Sequence, residues 1–176
     1  MTPSTDDHVD DTAPQDPGYG VERATERVLQ LAGTWLAWDG RARLADGGGR
    51  IYTPHKAIRR YTDHLIDHLA QIEAILAGQP PRENRWLESR VTTDADWARF
   101  TEADLTEATE RLTRLATTFR IRLLTAGPTT WDTVTDGDQW TLRTIADHVA
   151  DPWYAEQVGD TSAQRAGAAP PPAPST

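Results

Sequence analysis

Four stretches of the chain repeat apolar residues every three or four positions, and none shows the strict alternation of a half-buried strand. The first runs from about Val21 to Trp38, placing Ala24, Val28, Leu31, Trp35 and Trp38 on one stripe, and stops at Asp39-Gly40. After a turn-rich loop containing Gly47-Gly48-Gly49, Pro54 occupies a first-turn position where proline is tolerated, and a second helix continues to about Ala77. Gly78 and Pro80-Pro81 end it. A polar linker with Trp86 and a short helical turn around Asp94 to Ala98 leads to Thr101-Glu102-Ala103-Asp104, which reads as a capping box. Leu105, Ala108, Leu112, Leu115, Phe119 and Leu123 then mark a third helix closing near Gly127-Pro128. The fourth starts after Trp140, with Thr141 as N-cap, and reaches Val158-Gly159.

Four amphipathic helices, each polar on its outer face, predict an all-α fold, a four-helix bundle over residues 18–160. The ends change the picture of the charge. Seven of the 12 prolines lie in them, and residues 1–17 and 161–176 are expected to be disordered, the first an acidic tail and the second Ala/Pro-rich. Residues 1–16 carry Asp6, Asp7, Asp10, Asp11 and Asp16 with no basic residue, so they hold −5 of the net charge of −9. The body, residues 17–160, holds 22 acidic against 17 basic residues. A mildly acidic body argues against nucleic acid as a partner, because a duplex needs a basic patch to neutralise its phosphates. No apolar run approaches the roughly 18 residues of a membrane span, and the first twenty residues lack the pattern of a secretory signal, so the expected location is cytoplasmic. The chain has 176 residues and no cysteine, which excludes disulfides, thiolate metal sites and a protein thiol nucleophile. The seven tryptophans read as core and loop anchors, with one or two available to line a pocket.

Candidate chemistry rests on histidine. Of five, His8 falls in the acidic tail and His55, beside Pro54, reads as a surface residue. His64 and His68 stand four apart and so share one helix face. Taking about 100° per residue from Tyr61, the apolar positions of that helix lie between about −40° and +80°, with His68 at about −20° and His64 at about −60°. The pair faces the interior or its margin. The fourth helix echoes the second: IRRYTDHLID (Ile58 to Asp67) and LRTIADHVAD (Leu142 to Asp151) align without a gap and place His64 with His148. Were the two halves related by a pseudo-twofold, His64 and His148 would approach one another across the core. Pro152, lacking an N–H, deprives the His148 carbonyl of its helical partner and is expected to kink or end the helix there.

Three imidazoles from two helices suit zinc, nickel or iron and leave a coordination position open. Asp67, Asp151 and Gln71, each three residues after one of the histidines, are within helical reach of the second ring nitrogens. Spacing alone favours a set of interior or margin histidines satisfied by those side chains, with no metal, because an i, i+4 histidine pair is common by chance.

The segment His64-Leu65-Ile66-Asp67-His68-Leu69-Ala70-Gln71-Ile72 resembles the H-x3-H-x2-Q signature of the DinB/YfiT-like superfamily of metalloenzymes. The segment from Trp140 to Asp151 looks like the helix that gives that superfamily its lone histidine. The resemblance covers the second and fourth helices and implies a four-helix bundle holding a divalent metal through His64, His68 and His148. One feature departs from the pattern: typical members place the lone-histidine helix before the H-x3-H helix, whereas His148 comes last here, as if the halves had been permuted.

The resemblance also implies a thiol-dependent transferase or isomerase acting on a small-molecule substrate, with a low-molecular-weight thiol of the mycothiol or bacillithiol type as cosubstrate. The absence of cysteine fits an external thiol. In that reading the metal is a Lewis acid, and Arg59, Arg60 or Arg143 would anchor an anionic substrate. Metal-assisted hydrolysis is a variant of the same site, with Asp67 and Asp151 as general-base candidates better placed to orient histidine. A different class remains open: a non-catalytic bundle that binds a small molecule or a partner protein, with a structural metal or none. Either class is compatible with a homodimer.

Overall fold

The computed structural model describes residues 16–45, 49–83, 90–134 and 140–163. The fold is mostly helical, with α1 (Gly18–Thr34), α2 (Pro54–Leu76), α3 (Glu102–Ala126), α4 (Pro128–Trp131), α5 (Leu142–Val149) and α6 (Trp153–Val158). Two short strands, β1 (Arg43–Leu44) and β2 (Ile51–Tyr52), pair antiparallel between α1 and α2, with Arg43 opposite Tyr52 and Leu44 opposite Ile51. At two residues each they are too short for alternation to register in the sequence.

The long helices begin where their capping residues place them. The Thr53 hydroxyl accepts the Lys56 N–H at 3.3 Å ahead of Pro54, and Thr101 and Asp104 bond one another reciprocally at the start of α3. Gly127 closes α3 at φ +82°, a conformation that favours glycine. The buried stripes are those of amphipathic helices: Val21, Ala24, Val28 and Leu31 on α1, and Ala108, Leu112, Ala116, Phe119 and Leu123 on α3. The first expected helix ends earlier than its apolar stripe, passing into a 3-10 turn at Trp35–Ala37. Trp35 is still fully buried and donates its indole N–H to the Gly159 carbonyl at 2.9 Å.

Helices adjacent in the chain are not the ones that pack most. α1 lies along α3, α2 packs against α3 and α6, and α5 touches both α1 and α2. Gly18 allows the close approach of α1 to α3, since a Cβ there would stand 2.7 Å from the Arg120 Cα. At the centre the Tyr61 and Thr25 hydroxyls bond at 3.1 Å, and burial pushes the Tyr61 phenol up to about 12. A 3-10 turn at Asp94–Trp97 is tied to α2 by Arg59, which reaches the buried Asp96 carboxylate at 2.8 and 3.0 Å.

Three expectations need adjusting. The fourth helix is not continuous from Thr141 to Val158. It breaks after Val149, and α6 restarts at Trp153, because Pro152 cannot donate to the His148 carbonyl and the Asp151 carboxylate instead accepts the Trp153 N–H at 2.9 Å. The folded unit also extends past both expected tail boundaries. Asp16 bonds Arg120 at 2.7 Å, and Thr161, 1% exposed, donates its hydroxyl to the Thr34 carbonyl at 2.6 Å. The outer parts of the acidic and Ala/Pro-rich tails, and Trp86, lie outside the described residues. Finally, His55 is not a free surface side chain: it is partly covered, with its ring edge-on to Phe100 at 5.3 Å. No described helix is long and apolar enough to cross a membrane.

Candidate metal centre

α2 sets the first two histidines. Leu65 and Ile72 are buried on the same helix, and they anchor the face on which His64 and His68 stand half-buried, one turn apart. The third, His148, occupies the last turn of α5 and is exposed. All three converge. Ring centroids are 4.6 Å apart for His64 and His68, 4.8 Å for His64 and His148, and 5.1 Å for His68 and His148. One nitrogen from each ring lies within 4.8 Å of the others, near enough for one ion to take all three.

Each α2 ring has a polar neighbour beside it. Nδ1 of His68 is 2.8 Å from Oε1 of Gln71, one turn on, as the spacing predicted. The His64 ring faces the backbone of His148, which favours its protonated form, and the His148 carbonyl is the group that Pro152 leaves without a helical N–H. The helix break thus leaves backbone without a helical partner beside a neighbouring ring. The bond to Gln71 holds the tautomer of His68 and raises the basicity of its remaining nitrogen, the usual environment of metal-ligating histidine.

Burial favours the neutral form of His64 and His148. Burial pushes His64 down to about 3, and positive charge on His68, His148 or Arg60 would push the same way. Burial also lowers His148, with His68 adding to the effect and Asp151 opposing it. A neutral imidazole offers a lone pair to a metal near neutral pH without first losing a proton. The donor chemistry and the bond between His68 and Gln71 therefore fit a divalent ion.

Aromatic side chains wall the group. Trp140 stacks on His68 with centroids 5.9 Å apart and planes 7° apart, and meets His148 edge-on at 4.9 Å. Tyr154 stands edge-on to His64 at 5.7 Å. On one side the histidines open into a cleft of about 370 Å³ lined by Arg50, His64, His148, Asp151, Trp153 and Tyr154.

Other expected site residues fall elsewhere. Asp67 lines a separate groove with Ile66 and Ala70. Asp151 reaches the cleft, but its carboxylate caps α6. Of the arginines expected to anchor an anion, Arg59 is held by Asp96 and Arg143 is bound to Asp132 at 2.8 Å, away from the cleft, whereas Arg60, 3.4 Å from Asp63, lies over the ring of cleft-lining Tyr154 at 5.7 Å. Sequence reading did not single out Arg50, Trp153 or Tyr154 as site residues. No periodicity links the strand bearing Arg50 to the histidines, whereas Pro152, which directs the chain into α6, was a legible signal for the two aromatics.

Comparison with protein-family models, with curated proteins and with solved structures finds no match.

Proposed function

We propose that this chain is a small metalloprotein, a permuted DinB-like four-helix bundle in which α5 and α6 together stand for the fourth helix, with a divalent ion held by His64, His68 and His148. The observation that carries the proposal is the convergence of three imidazoles, two of which line an open cleft. A bound ion would supply Lewis acidity to a substrate atom in that cleft. The chain's own groups do the rest: Gln71 holds the His68 ring, Trp140 shields His68 and His148, and Trp153 and Tyr154 bound the space in which a small molecule would sit.

The activity we favour is a thiol-dependent transfer or isomerisation with a low-molecular-weight thiol as cosubstrate. The absence of cysteine supports an external thiol, and the cleft supports an accessible site, since a purely structural centre has no need of an exposed ligand such as His148. Elemental analysis of the purified protein beside His68→Ala and His148→Ala tests the metal. One equivalent in the wild type, lost in both variants, supports the centre. No metal in the wild type, with both variants melting like it, refutes it. Turnover of electrophile panels with and without added thiol tests the reaction: rates independent of thiol would leave the metal standing and remove the transferase.

A further inference from the structure

Arg50 lines the cleft beside the histidines, and its setting differs from that of every arginine expected to act there. Arg59, Arg60 and Arg143 each face a carboxylate, at 2.8, 3.4 and 2.8 Å. The Arg50 guanidinium forms no hydrogen bond or ion pair with any described residue. It lies over the Trp153 ring at 5.2 Å, half-buried, where the ring face holds it without neutralising it. Its backbone is fixed too: the Arg50 carbonyl accepts the Ala45 N–H at 2.9 Å, extending the β1–β2 pairing. Two positions on, Tyr52 is fully buried and meets Trp153 edge-on at 5.4 Å. On extended backbone, residues two apart share a face, so the buried Tyr52 aims Arg50 at the same aromatic wall.

We infer that Arg50 is the specificity-determining residue of this site and selects a substrate or cosubstrate that carries an anionic group, a carboxylate, in addition to the atom presented to the metal. It presupposes the three-histidine metal centre proposed above. A planar guanidinium with unused donors matches a carboxylate in two-point geometry. Asp151 lines the same cleft, and its carboxylate repels an anion from that end. The anionic group is therefore directed to Arg50, and the neutral or donor end of the molecule to the histidines.

The test uses the full chain loaded with cobalt(II), whose visible absorption reports on its ligands. Two probes share a thiol and chain length and differ in one group, 3-mercaptopropionate and 3-mercapto-1-propanol. Wild type is expected to bind the carboxylate probe at least about tenfold more tightly, the magnitude of one charge-assisted contact. Arg50→Met should remove that preference by weakening the carboxylate probe alone, and Arg50→Lys should retain part of it, with circular dichroism confirming that both variants fold. Equal affinities in the wild type overturn the role of Arg50. So does an equal loss of both probes in Arg50→Met, which would make Arg50 a mere support for Trp153, or an unchanged preference in that variant. If wild type takes up no cobalt, the metal centre fails and the role of Arg50 fails with it; if cobalt binds and the preference is absent, only Arg50 falls.

Discussion

α2 carries His64 and His68 in the middle of an uninterrupted helix of 23 residues, whereas His148 stands in the last turn of an eight-residue helix that stops one residue later. The two segments contribute to one site through opposite kinds of backbone. In α2, regularity does the positioning: helical pitch puts the two rings on one face, with buried Leu65 and Ile72 keeping that face turned inward. At the end of α5, irregularity does it. The break at Pro152 frees the His148 carbonyl beside the His64 ring, and it sends the chain into α6, whose Trp153 and Tyr154 line the cleft. A regular helix suffices to fix a ligand pair, and an interrupted one provides an acceptor, a wall and an opening.

The contrast can be broken first at the ligands. His64→Ala and His68→Ala should each lower metal affinity by more than about a hundredfold, exceeding what loss of an orienting partner costs. His148→Ala should do the same, although His148 is exposed and its removal should leave the thermal midpoint of the metal-free protein almost unchanged. Competition with a chromophoric chelator, paired with calorimetry, measures both. A His148→Ala variant that retains full affinity would reduce the site to the α2 pair.

Next in size is the packing that supports α2. Leu65 is 1% exposed, and Leu65→Ala should destabilise the protein by about 3 kcal/mol in urea denaturation. The matching test of the break is Pro152→Ala. Alanine supplies the missing N–H and draws the His148 carbonyl back into the helix, away from the His64 ring. Metal affinity should fall about tenfold while stability holds or rises. A variant that binds metal as the wild type does would show that the irregular helix end plays no part in orienting His64.

The smallest effect near neutrality is acid sensitivity of the metal-free protein. Burial places His64 at about 3 when folded, below its ordinary value of about 6.5, so the unfolded chain binds the proton more readily. Stability is fully present above about pH 6.5 and is lost progressively as pH falls toward 3. Between pH 7 and 6 the loss is under about 1 kcal/mol, steepening below. His64→Leu should flatten this dependence, as read from melting temperature against pH without metal. An equally steep profile in that variant would place the acid-sensitive group elsewhere.

Much of this arrangement is legible in the chain. Thr53-Pro54, the Thr101/Asp104 box, Gly127 and Thr141 mark helix boundaries because capping and turn conformations are local matters of a few residues. The i, i+4 spacing of His64 and His68, and the Gln71 partner of His68, follow from helical pitch. The consequence of Pro152 was legible as a break, since a missing N–H is a property of the residue itself. What the break would build was not: periodicity read α5 and α6 as one helix, and nothing local says that the freed backbone lies beside a ring 84 residues away in sequence.

The long helices, their capped starts and the residue types able to bind a metal were thus determined by the sequence alone, because propensity, capping and pitch act over a single turn or two. Only the tertiary structure decided that His148 joins His64 and His68, that Arg59, Arg60 and Arg143 are each matched to a carboxylate, and that Arg50 reaches the cleft from a strand. Those outcomes depend on which apolar faces pack together. α1 chooses α3, α2 chooses α3 and α6, and the side chains at the margins are carried to wherever that burial leaves them.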